Sequence, residues 1–166
     1  MSAPYYATVA VHVLAAMLWL GGMFSLAVVG APVLRRAEPP ALRQQLFQAL
    51  GHRYRSVGWW AIGVLVLTGV ANLHFRGWLR WEGVLGDPAF WRTGVGHALA
   101  AKLAAVGTMV VVSIVHDFVL GPAAGRAAAG STSALTLRRR AALLARLNAA
   151  VGVVVVLAAV RLARGG

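Results

Sequence analysis

GHALAAKLAAVGTMVVVSIVHDFVLGP, Gly96 to Pro122, decides the fold. It is long and apolar enough to cross a bilayer, since about 20 such residues cover a hydrocarbon core ~30 Å thick. Yet it holds His97, Lys102, His116 and Asp117. Ionisable groups at membrane depth cost about 3 kcal/mol each on insertion scales, so they persist where they pair, line a cavity or do chemistry. Function is expected to run through this helix.

Working outward, four apolar runs cover about 5–34, 56–75, 94–120 and 141–160, each bounded by arginines, Pro or Gly. Of 166 residues, 60% are hydrophobic and 12% charged, against about a quarter charged in soluble domains. The expected fold is an all-α integral membrane protein, a four-transmembrane-helix bundle forming a single membrane domain over residues 1–166. A surface amphipathic segment is expected at about 40–51, where Leu42, Leu46, Phe47 and Leu50 recur at helical spacing. The stretch GRAAAGSTSALTLRRR before the last run reads as a flexible basic loop. A signal peptide is not expected, because MSAPYY lacks a basic n-region and the first apolar run is far too long for one.

The net charge of +12 would point to nucleic acid in a soluble chain. Here the arginines sit between apolar runs, where topology explains them and no nucleic-acid partner is needed. Arg35, Arg36, Arg43, Arg53 and Arg55 lie in the first connection, and Arg126, Arg138, Arg139 and Arg140 in the third. In the middle connection, Arg76, Arg80 and Arg92 are offset by Glu82 and Asp87. The positive-inside rule puts the first and third connections in the cytoplasm. A bacterial-type inner membrane with both termini outside is therefore expected, although Arg161 and Arg164 count against it.

With no cysteine, thiolate metal sites and iron–sulfur clusters are excluded. Any metal falls to His, Met, carboxylate or backbone oxygen. Three of the five histidines, His12, His74 and His97, come from three helices and converge on the outer leaflet under this topology. Neutral imidazole is the commonest metal ligand and suits copper, zinc and haem iron. Copper or zinc held by three histidines, or haem b clamped by two, all remain open. Lys102, about 12 Å deep at 1.5 Å per residue, would steer an anionic group or exchange a proton. Lys102, Met109 and His116 share a face, and His97 is turned away from it. At the inner end, Asp117 is expected to pair with Arg146 or a first-connection arginine, with His116 and Asp117 as a secondary site. His52 sits among Arg53 and Arg55 and is expected to be solvated. Trp78, Trp81, Phe90 and Trp91 in the middle connection read as an interfacial anchor, or as a lid with Glu82 or Asp87 drawing in cations.

HVLAAMLWLGG in the first run, RYRSVGWWAIGVLVLTGVANL into the second and AAKLAAVGTMVVVSIVHDFVLGP in the third resemble the copper-resistance protein D (CopD) family. The resemblance covers three of the four helices. It implies copper uptake or tolerance, with a periplasmic copper carrier or a homo-oligomer as candidate partners. A more distant likeness is to HemJ-type protoporphyrinogen oxidases, matched here by His12 and Lys102, and implies haem b and porphyrin or quinol oxidation. A membrane copper-binding protein is the first expectation and a haem b oxidoreductase the second. Whether the chain is an enzyme is left open.

Overall fold

The structure, a computed structural model, describes residues 3–79, 83–127 and 131–164, apart from the side chain at position 134. Four long helices follow one another. α1 runs Ala3–Arg35, α2 Pro40–Phe75, α3 Gly94–Arg126 and α4 Thr132–Ala163. Each contains a stretch long and apolar enough to cross a membrane, and no strand occurs among the described residues. The all-α, four-helix architecture is as the apolar runs required.

Two boundaries differ from expectation. The amphipathic segment at 40–51 is not a separate surface helix but the first third of α2. At 1.5 Å per residue α2 is about 54 Å long, so this part projects beyond a ~30 Å core. GHRYRS holds no proline, and its single Gly51 costs only about 1 kcal/mol of helix propensity, so the helix continues through it. The supposed loop before α4 is also largely helical, because STSALTLRRR holds no Pro or Gly and helix begins at Thr132.

α1 and α3 each contain a π-helical turn, at Leu26–Gly30 and Val115–Leu120. Pro32 and Pro122 follow two residues after them. A proline lacks the N–H for its i−4 bond, and its ring crowds that carbonyl. A widened turn just ahead of the proline lets the helix continue.

α1 packs chiefly along α2, and α3 along α4, with smaller contacts joining the two pairs. The centre is Met109 of α3, fully buried and clustered with Trp19, Ala61 and Ile62. Leu20, Met23, Leu65, Val110, Val151 and Val155 pack around that cluster, so all four helices meet there. Leu18, Val28, Trp60, Leu67 and Leu157 are turned outward instead, as lipid-facing positions of a membrane bundle are. Lipid is as apolar as leucine, so close packing and interhelical polar contacts hold such a bundle rather than water exclusion. One contact of this kind is central. Asn148, 4% exposed, donates from Nδ2 to Ser113 Oγ at 3.2 Å and reaches Met23 Sδ at 3.5 Å, linking α4, α3 and α1.

Candidate functional site

A polar seam runs along the α1–α2 contact at the end that carries the middle connection. Arg76 Nε donates to Tyr5 Oη at 3.2 Å. Thr8 Oγ1 lies 2.8 Å from both Asn72 Oδ1 and the Tyr5 carbonyl oxygen. His12 Nδ1 lies 2.8 Å from Thr68 Oγ1. Positions 5, 8 and 12 climb one face of α1 while 76, 72 and 68 descend the facing side of α2, as antiparallel helices require.

The deepest pair fixes the chemistry of the histidine. Thr68 Oγ1 lies 2.6 Å from the Val64 carbonyl oxygen, which has no hydrogen to give, so the hydroxyl donates there. Thr68 therefore accepts from His12, whose Nδ1 carries the proton. In a neutral ring that leaves Nε2 with a free lone pair, the form that binds a metal. A partner on the second nitrogen, fixing tautomer and orientation, is the usual support of a metal-binding histidine. The ring lies against α2 beside Gly69, where an added methyl group would stand 3.6 Å from His12 Cε1, in ordinary van der Waals contact. The half-buried Lys102 of α3 is within electrostatic range of His12, and Arg76 within range of Lys102.

His74 and His97 are placed differently. Both are exposed, His74 on the last turn of α2 with its ring edge-on to Phe75, and His97 on the first turn of α3. No group of three His, Cys, Asp or Glu side chains comes together among the described residues, so His12, His74 and His97 are not drawn into one cluster there. Between them the connection is aromatic. Trp78 and Trp91 each meet Phe90 edge-on, and Trp91 Nε1 donates to the Leu85 carbonyl oxygen at 3.0 Å. Asp87 Oδ1 accepts from the Ala89 amide at 2.8 Å and so helps to form the turn. Trp81 and Glu82 lie outside the described residues.

The second polar group lies at the other end of the bundle. Asp117 Oδ1 is 2.9 Å from His116 Nδ1, and Oδ2 accepts from Trp59 Nε1 at 3.1 Å. The expected carboxylate–arginine pair is not what forms. Arg55 of α2 does reach this residue, but donates to the Asp117 backbone carbonyl at 3.0 Å, with its guanidinium over the Phe118 ring. The π-helical turn holds both His116 and Asp117, and its backbone carbonyl takes the arginine. Arg146 sits elsewhere, in a cluster of arginines. His52 is exposed, as expected.

Reading the sequence alone missed Thr8 and Thr68. The signal was there: Thr8 and His12 are four residues apart, as are Thr68 and Asn72. Two matching polar stripes on neighbouring apolar helices are the pattern of an interhelical seam.

The family model of copper resistance protein D matches residues 48–162, more than half of the chain. The chain belongs to the copper resistance protein D family. With its four spans, this CopD protein is an integral membrane protein related to copper resistance. His74, His97, Lys102, His116 and Asp117 fall inside the match, while His12 and the block HVLAAMLWLGG fall outside it. An uncharacterized protein of Aquifex aeolicus (strain VF5) is 28% identical over 111 residues, 66% of this chain. The aligned part spans 66% of that relative's length. No solved structure matches. The HemJ-type likeness gains no support from these matches.

Proposed function

We propose that this CopD protein carries copper into or through the outer half of the membrane, in uptake or tolerance, and that His12 is its deepest copper ligand. The observation that supports this is the Thr68 hydroxyl, which holds the His12 proton on Nδ1 and leaves Nε2 free. Imidazole nitrogen suits copper, and membrane depth leaves a histidine little alternative to a ligand or partner. The exposed His74 and His97, at adjacent helix ends, receive the ion from solvent, from a periplasmic copper carrier or from a second copy of the chain, and pass it inward. Lys102 modulates the site. The termini and the middle connection face outward, by the arginine asymmetry.

The test is copper retention by purified protein and its His→Ala variants, read by elemental analysis with an optical spectrum alongside. His12→Ala is expected to abolish retention. His74→Ala and His97→Ala each weaken it at least tenfold, about 1.4 kcal/mol, and His52→Ala leaves it unchanged. A full complement of copper in His12→Ala, or a Soret band with no copper, overturns the proposal.

A further inference from the structure

Four arginines converge where the start of α4 meets the end of α1. Leu135, Arg138, Arg139, Ala142, Leu143 and Arg146 recur every three or four residues along one face of α4. Together with Arg35 of α1 they line an open cavity of about 460 Å³. No carboxylate among the described residues lines it. Like charges gathered in one concavity repel each other unless an anion sits among them.

The chain has only four acidic residues to offer, and none of the described ones serves. Glu38 is 3.6 Å from Arg43, Asp117 is engaged by His116 and Trp59, and Glu82 and Asp87 belong to the middle connection. Within the cavity Arg138 alone has a side-chain partner among the described residues, the neutral Gln44 Oε1 at 3.2 Å. Arg146 is the most telling member, lying five residues past Ala141, where the apolar run of α4 begins. A guanidinium near the edge of the hydrocarbon needs a counter-charge that is already there.

We propose that this cavity binds the headgroup of an anionic glycerophospholipid. Its phosphate accepts the guanidinium donors of Arg35, Arg139 and Arg146, and its acyl chains lie on Leu135 and Leu143. Guanidinium forks match phosphate oxygens two at a time, and basic pockets between membrane helices recognise such headgroups. The mixed lining fits an amphiphile better than a free ion, because a phosphate alone has no use for the leucines.

The test is lipid retention by the full chain in micelles doped with phosphatidylglycerol or phosphatidylcholine, counted by native mass spectrometry with a thermal melt for each variant. Phosphatidylglycerol is expected to be retained at least tenfold better. The triple variant Arg35→Gln, Arg139→Gln, Arg146→Gln should erase that preference, while Arg53→Gln, exposed outside the cavity, should keep it. Arg139→Gln alone should cost about fivefold, the share of one basic residue near an anionic surface, with an unchanged melt. Added inorganic phosphate should not displace the lipid. Equal retention of the two lipids, an undiminished preference in either cavity variant, or displacement by phosphate each overturns the proposal, the last in favour of a free-anion site.

Discussion

Thr68 Oγ1 stands 2.8 Å from His12 Nδ1 and gives its own hydrogen to Val64, so the threonine sets which nitrogen of the histidine is free. Thr68→Val keeps the side-chain shape and removes the acceptor. Losing such a supporting partner typically weakens metal affinity by about 10–100-fold. Copper titration of Thr68→Val should show a loss in that range, and Thr68→Ser should restore it. Unchanged affinity in Thr68→Val would mean that the hydrogen bond only ties α1 to α2.

Asp117 holds Trp59 and His116 with its two carboxylate oxygens. Asp117→Asn keeps one acceptor and loses the charge, while hydrogen bonds to charged groups contribute about 1.5–3 kcal/mol. Thermal unfolding should show a loss of about 1–2 kcal/mol, with a change in tryptophan emission and undiminished copper retention. Copper lost at full stability would move the site to this end of the bundle.

Asn148 Oδ1 is buried with no partner among the described residues, although Nδ2 of the same amide is bonded to Ser113. An unsatisfied buried polar atom costs about 1–3 kcal/mol, whereas an interhelical hydrogen bond in membrane proteins returns about 0.6 kcal/mol. Replacing both partners, Asn148→Leu with Ser113→Ala, should therefore raise stability by about 1 kcal/mol. A lower melting temperature in the double variant would show that the amide oxygen has a partner in the membrane, such as an ordered water.

Gly96 lies where the middle connection folds back on α3. A methyl group there would run into the Phe90 carbonyl oxygen and stand 2.8 Å from Trp91 Cα. Both are backbone atoms and cannot rotate aside. The same turn is fastened by Thr93, which accepts from the Gly96 amide at 3.0 Å and donates to the Phe90 carbonyl oxygen. Gly96→Ala should displace Phe90 and Trp91 and expose the connection to protease, with a stability loss of about 1–3 kcal/mol. Unchanged proteolysis would show the connection to be less tightly seated.

The arginine asymmetry predicts that a reporter fused after the last residue is active only outside the cytoplasm. A fusion active in the cytoplasm would invert the bundle and put His12 near the inner face.

The number of spans and the all-helical class were settled by composition, because a hydrocarbon core accepts only segments that satisfy their own backbone hydrogen bonds. His12 and Lys102 were legible for the same reason, as ionisable groups too costly to leave unpartnered in lipid. What the sequence could not assign were the partners. The choice between Arg146 and Trp59 for Asp117 turns on how α2 and α4 are rotated against α3, and apolar helices with no hydrophobic drive between them carry little sign of that rotation. Thr68 acquires its meaning only when antiparallel packing brings it level with His12. Arg138 and Arg139 came to line a cavity rather than a loop only once the helix began at Thr132 and set them on one face with Arg146, beside Arg35.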